Sequence, residues 1–417
     1  MVLLAAGCDA QGPPPSDAAE EAECTPPAPV LPPEPPIDAW LETDPECSWV
    51  GRWPSIQEFD WGALLIAEAA GCAGERGGVL VYDLASREPL KRATDALEAG
   101  EFYDAVIVGD EYGPTHIGAR WYPSSFDDIG LVVLDWETGA LLYETLHGEL
   151  SVGSYHVGQA NGLFLAGDKD AAFDRGELLV FPPDLSGQVD ASDAVAAHHG
   201  TRDDGGLGSH FWNVDDLDGD GLDDVLLAYH APWTVLLGED LLQDEGIGNA
   251  IRLETWPMYA NSATAAGDFD GDGGNDIAVG SWVLDEEAEG RRFVGSIRIY
   301  SGTETTPYAT VLDTREFEPG LAYELGKSLG SIGDADDDGW PTLVSALEAQ
   351  SPYSENPEYW LVEAPLCGTV ELGEVGSRLE LGTDEKYGMY FAAGVDTLVL
   401  PVFDWDDDLI GDKLLNW

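Results

Sequence analysis

The sequence predicts an all-β chain, a seven-bladed β-propeller following a disordered Pro-rich N-terminal tether. Three observations carry that expectation. Paired β-rich runs recur seven times at a mean step of about 54 residues, near the period of propeller blades. The runs are four to six consecutive apolar residues, as strands covered on both faces are. Two of them are entered directly from an aspartate ladder, which asks for a β-strand rather than a helix behind a metal-type loop.

The chain opens Met1-Val2-Leu3-Leu4-Ala5-Ala6-Gly7-Cys8-Asp9, which resembles the lipobox of bacterial lipoproteins. Residues 1–8 then form a partial signal, and Cys8 is the lipidation residue that would begin the mature chain. No Lys or Arg precedes Arg52, so the basic stretch of a signal peptide is missing. Residues 9–48 read as a disordered acidic linker: eleven of the 26 prolines fall between Gln11 and Pro45, with no basic residue among them. Such density favours extended polyproline II, and too few apolar groups remain to offset the entropy of ordering. The implied location is a bacterial cell envelope, lipid-anchored at the outer membrane or cell surface, or the secreted fraction. Cys24, Cys47, Cys72 and Cys367 are an even set that suits an oxidising compartment. Their three possible pairings stay open.

Residues 49–417 carry the repeats. Runs 63–67 and 78–82 open the series, followed by 105–109 with 130–134, 163–167 with 177–181, and 225–228 with 234–238. The remaining pairs are 277–280 with 295–300, 343–346 with 359–362, and 389–394 with 397–400. A sheet of this size cannot bury both faces alone; packing against a neighbour on each side does so and leaves only short edges. The 50 glycines suit a turn-rich β protein.

The ladders supply the chemistry. Asp216, Asp218, Asp220, the Leu222 carbonyl and Asp224 stand at loop positions 1, 3, 5, 7 and 9. Asp268, Asp270, Asp272, the Gly274 carbonyl and Asp276 repeat the set. Hard oxygen ligands at this spacing, with glycine after the third carboxylate, wrap Ca2+. A third run, Asp334, Asp336, Asp338 and the Trp340 carbonyl, has Thr342 in place of the ninth-position acid, which predicts a weaker or empty site. Position 12 is Leu227, Val279 or Ser345 rather than the bidentate Glu of an EF-hand. Two Ca2+ sites and one possible third are therefore expected, in a structural role.

The net charge of −62 makes nucleic acid and anionic membrane surfaces poor partners. Membrane contact is expected only through the lipid anchor, and the chain is expected to be a monomer. His198-His199 reads as an exposed loop pair without a nucleophile pattern, and His156 and His210 as repeated structural positions. Trp121, Trp233, Trp256, Trp282 and Trp340, with Tyr122, Tyr323 and Tyr353, fall in predicted loops; they either fill the core between blades or stack on sugar rings. Loops 110–129 and 282–293 are where a partner would bind.

The order of a Gly-Asp loop, a strand ending in Gly or Ala, and a Gly-Xaa-Val-Tyr-type strand is best kept between Gly267 and Tyr300. In this the units resemble FG-GAP repeats, the family that builds the seven-bladed propeller of integrin α subunits. The resemblance implies a non-enzymatic adhesion or protein-interaction module with a protein or glycan ligand on its loops and no catalytic residues. A lectin-like propeller is the alternative. FG-GAP repeats also accompany extracellular hydrolases and lyases, but the propeller and tether leave no room for a separate catalytic domain here.

Overall fold

The computed structural model describes residues 37–41 and most of 54–416, leaving out 1–36, 42–53 and short internal runs. Cys8, Cys24, Cys47 and most of the expected tether therefore lie outside the described residues, as do Trp256 and Tyr353.

The described strands form seven small sheets. Six are blades of regular construction, each with four antiparallel strands in chain order, and in blades 3 and 6 one further strand intervenes before the fourth. Blade 1 comprises Ser55–Phe59, Gly62–Cys72, Arg76–Asp83 and Pro89–Ala93. Blade 2 comprises Gly100–Asp110, Gly113–Pro123, Gly130–Asp135 and Leu141–Thr145; blade 3 comprises Tyr155–Ala160, Leu163–Asp168, Glu177–Phe181 and Ala196–His199. Blade 4 follows with His210–Asn213, Val225–Ala228, Thr234–Leu236 and Ile251–Arg252. Blade 5 has Ala260–Gly267, Asp276–Asp285, Arg292–Ser301 and Ala309–Leu312, and blade 6 has Tyr323–Ser331, Thr342–Ala349, Glu358–Glu363 and Gly376–Arg378.

The remaining sheet is composite, and this corrects the expectation of seven like blades. Lys386–Tyr387 and Ala392–Gly394 share one edge of Thr397–Phe403, Leu409–Asn416 follows, and Ile37–Leu41 completes the sheet from the other end of the chain. Ile37 pairs with Leu415 and Leu41 with Asp412, so part of the expected tether belongs to the fold. Ile37 and Trp40 give that segment a β character which its surrounding prolines mask. Blades 2 and 5 also gain a fifth strand lying parallel to their outer edge: Gly187–Val189 on Leu141–Thr145, and Gly368–Glu371 on Ala309–Leu312. Each is donated by the following blade and covers an edge otherwise open to pairing.

Alternate side chains along a strand point to opposite faces, and here both faces are buried. Leu64 and Ile66 pack with Ile107, Ile117 and Val132 of blade 2, whereas Leu65 and Ala67 pack with Ala392 and Val399 of the composite sheet. In blade 6, Leu343 and Leu347 face blade 5, and Val344 and Ala346 face Leu398, Leu400 and Leu415. Equivalent clusters fill the remaining interfaces, with Leu226 and Trp233 meeting Ile277, Val279 and Tyr300 between blades 4 and 5.

The second run pair of the sequence was misassigned by one strand. Residues 105–109 pair with Gly113–Pro123, not with 130–134. Gly118 lies against the ring of Phe164 in blade 3, where any side chain would collide. That glycine, with Arg120 beside it, breaks the apolar run that marks the equivalent strand elsewhere. Consequently 110–129 is no long loop, since most of it is this strand, and residues 282–285 and 292–293 of the second expected loop are paired strand.

Two glycine pairs set the closest approach of the blades. Gly280 meets the carbonyl of Gly326 (φ +78°), and Gly167 meets that of Gly208 (φ +81°), with no room for a β-carbon. Ser262 Oγ also donates to Gly326 O at 2.8 Å. Gly280→Ala should force blades 5 and 6 apart and destabilise the chain by about 2 kcal/mol or more. Urea unfolding measures this; a cost below about 0.5 kcal/mol would show that the interface has slack.

Candidate metal centres

Three of the turns that join an inner strand to the next strand of its blade carry the aspartate ladders. In blade 4 the chain leaves His210–Asn213, passes Asp215 in a left-handed conformation (φ 58°) and returns as Val225–Ala228. Asp216 organises the turn: its Oδ1 accepts from Gly219 N (2.7 Å) and Asp220 N (3.1 Å), and its Oδ2 from Gly221 N (2.8 Å). Gly219 and Gly221 both adopt positive φ, 78° and 88°, which explains why glycine alternates with aspartate here. In blade 5, Asp268 repeats the pattern by accepting from Gly271 N at 2.7 Å and Gly273 N at 3.0 Å. In blade 6, Asp334 accepts from Asp338 N at 2.9 Å and Gly339 N at 2.8 Å.

These turns bring carboxylates together. Asp216, Asp218 and Asp224 place ligand oxygens within 4.8 Å of one another, as do Asp268, Asp270 and Asp276, and Asp334, Asp336 and Asp338. Asp220 and Asp272 stand outside these sets: Asp220 Oδ1 accepts from Leu222 N, and Asp272 accepts from Gly274 N and Ser301 Oγ.

The ninth-position acid distinguishes the first two centres from the third. Asp224 is fully buried; its Oδ1 accepts from Gly238 N (2.7 Å) and its Oδ2 from Leu217 N (2.9 Å). Burial, with Asp218 and Asp216 adding to it, pushes its carboxyl up to about 6 against the pull of those two amides. Asp276 is also fully buried, and its Oδ2 accepts from Phe269 N at 2.7 Å, Asp270 N at 3.1 Å and Tyr308 Oη at 2.9 Å. Its Oδ1 has no hydrogen-bond partner. Burial and the neighbouring Asp270 raise this carboxyl to about 6 as well. A buried, unpartnered carboxylate oxygen in a convergent oxygen set is chemistry that a hard divalent cation satisfies. The residues present therefore fit Ca2+. At the third centre Thr342 occupies the corresponding place and joins through its backbone, accepting from Ile332 N and donating to Gly333 O.

Sequence reasoning missed several residues around these turns. Tyr308, on Asp276, lies 32 residues away in the chain. Asn161, at the turn of blade 3 (φ 54°), donates from Nδ2 to Asp223 O and accepts from Asp223 N at Oδ1. An Asn-Gly dipeptide between β-rich runs is a turn signal, but its docking on the next blade has none. Near the same turns lies an axial cavity of about 470 Å3 bordered by Gln57, Glu58, Gln159, Asn213, Asp215 and Asp223. Asp215 touches the solvent inside it yet is densely surrounded, so burial, then Asp223 and Glu58, raise its carboxyl to about 6.

The expected histidine and tryptophan positions change. His198 and His199 lie in a strand of blade 3, not a loop. His198 is buried with Nε2 3.0 Å from Leu241 O, and His199 is beside Glu177 at 3.1 Å. His156 and His210 hold structural positions at the starts of inner strands, with rings 6.2 Å apart. Asp104 lies 3.4 Å from His156 and 3.1 Å from Arg120. Burial would raise the Asp104 carboxyl, but His156, Arg120 and His210 together hold it below the usual range. Trp121 is in a strand and packs toward the core between blades 1 and 2, Trp233 is fully buried, and Trp340 packs on the core between blades 5 and 6. Trp282, Tyr122 and Tyr323 also lie in strands.

Comparison with known proteins establishes the fold alone. No family model matches the chain, and no curated protein does. A solved structure of prolyl endopeptidases is 11% identical with a TM-score of 0.52; the match covers 91% of this chain and 48% of that one, so this chain spans about half its length. The β-propeller domain of the Trilobed protease from Pyrococcus furiosus is 10% identical, TM-score 0.45, covering 88% and 94% of the two chains. The Dos1 propeller is 11% identical, TM-score 0.48, covering 88% and 85%. The chain is thus an all-β propeller with low helix content.

Asp276→Ala removes the acceptor of one buried amide, one half-buried amide and a tyrosine hydroxyl. It should cost about 2–4 kcal/mol in urea unfolding even without metal, whereas Asp272→Ala should cost less than about 1 kcal/mol.

Proposed function

We propose that this chain is a calcium-stabilised, non-enzymatic propeller of FG-GAP type, in which the composite sheet serves as a seventh blade. Its task would be adhesion or protein interaction at a bacterial cell envelope, with attachment through Cys8. The observation that carries the calcium assignment is the buried, unpartnered Oδ1 of Asp276 within the oxygen set of blade 5. The same turn recurs in blade 4, and its lack of a ninth-position acid in blade 6 leaves that centre weaker. Seven apolar clusters, one between each pair of successive sheets around the ring, support the count of seven.

Cys367 is disulfide-bonded, which favours an oxidising compartment. Outside the cytoplasm, modules of this kind bind calcium at about 10⁻⁴ to 10⁻³ M, so the sites would be filled constitutively. Trp121, Trp233 and Trp340 pack inward, which favours a protein ligand over a glycan stacked on loop aromatics.

Calorimetric unfolding of the full chain with and without a chelator, alongside metal analysis, tests the assignment. Two to three calcium ions per chain are expected. Each site, at a hundredfold excess of free calcium over its Kd, should contribute about 2.7 kcal/mol that chelation removes. An unchanged melting temperature with no bound calcium would overturn the assignment. For the ligand, an array of envelope and matrix proteins should give binding that chelation abolishes; binding only to a glycan array would favour a lectin.

A further inference from the structure

The metal turns of blades 4 and 5 are joined to each other. Asn275 stands between Gly274 and Asp276, the seventh and ninth positions of the blade 5 turn, and its Nδ2 donates at 3.1 Å to the carbonyl of Asp216. Asp216 is the first ligand of the blade 4 turn and the residue whose carboxylate accepts three of that turn's backbone amides. Asn275 is itself held from behind, since its carbonyl accepts from Gly302 N at 3.2 Å, and Gly302 in turn lies against the Leu217 carbonyl. The contact thus links the backbone of one oxygen set to the backbone of the next across a blade interface. On its other flank the blade 4 turn is clasped by Asn161 through both polar groups of the Asp223 backbone. Beyond blade 5, the Trp340 indole covers Gly271, leaving 2.7 Å to a β-carbon placed there.

We propose that calcium binds the blade 4 and blade 5 turns cooperatively, with Asn275 as the coupling residue. The coupling presupposes calcium in both turns. In each turn the cation replaces mutual repulsion among three carboxylates by a fixed geometry. Fixing the blade 5 turn sets Asn275, and a set Asn275 fixes the Asp216 carbonyl, so the second turn has less disorder left to lose when its own cation arrives. A ligand that orders a shared element lowers the ordering cost of the next. Linkage makes the effect reciprocal: filling either turn raises the affinity of the other by one factor.

Calorimetric titration of the chelated full chain with calcium chloride tests this. The wild type should fill the two turns with a Hill coefficient of about 1.4 or more. Asp218→Asn, which disables the blade 4 turn, should weaken blade 5 at least about fivefold, and Asp270→Asn should weaken blade 4 by the same factor. In an Asn275→Ala background, disabling one turn should change the other by less than about twofold. Asn275→Asp keeps the side-chain shape, replaces the donor by an acceptor and should uncouple the turns likewise. Two calcium ions bound with a Hill coefficient of 1 and unchanged affinities in the single-turn variants would overturn the coupling and leave the calcium assignment standing. No calcium uptake at millimolar concentration would overturn both.

Discussion

What the molecule depends on is the burial of both faces of every small sheet against its neighbours. A four-stranded sheet in water keeps one apolar face exposed, and here Leu64 and Ile66 look one way while Leu65 and Ala67 look the other. Neither face is covered until blade 2 and the composite sheet are both in place. The favourable term, roughly 25 cal/mol per Å2 of apolar surface, is therefore collective. It also dictates where side chains must be absent. Gly280 and Gly326, or Gly167 and Gly208, let backbones touch, and Gly118 makes room for Phe164.

The aspartate turns depend on this frame. Asp224 and Asp276 are buried because they begin strands that blade packing encloses, and burial raises their carboxyls. Left without a cation, burial of the ionised carboxyl offsets part of what its hydrogen bonds to the turn contribute; a divalent cation held there would remove that loss. The outlying carboxylates of Asp220 and Asp272 have no such constraint and spend their oxygens on local amides.

Much of this was legible in the residues. The continuous apolar runs named the central strands of most blades because two buried faces leave no polar alternation. The ladders named the convergent carboxylates because the ligand spacing is local in the chain. What escaped has a common cause, in that its partners are remote. The strand holding Gly118 and Arg120 looks polar and broken because blade 3 supplies the missing bulk. Inner strands such as His210–Asn213 face the axis and carry mixed residues. Tyr308, Asn161 and Asn275 act on turns in other strands or other blades. Trp233 fills the core between blades, one of the two roles its sequence context allowed.

The composite sheet has a consequence for how the ring is made. Its outermost strand, Ile37–Leu41, leaves the ribosome before any blade, and its partner Leu409–Asn416 follows all six. Closure therefore comes after all six regular blades have been made and carries the largest loop entropy among the described pairings. A chain that emerges from a membrane pore in the same direction meets the same delay. The pairing of these two strands is then the step at which a folding helper, or mechanical tension on the leading strand, has the greatest leverage.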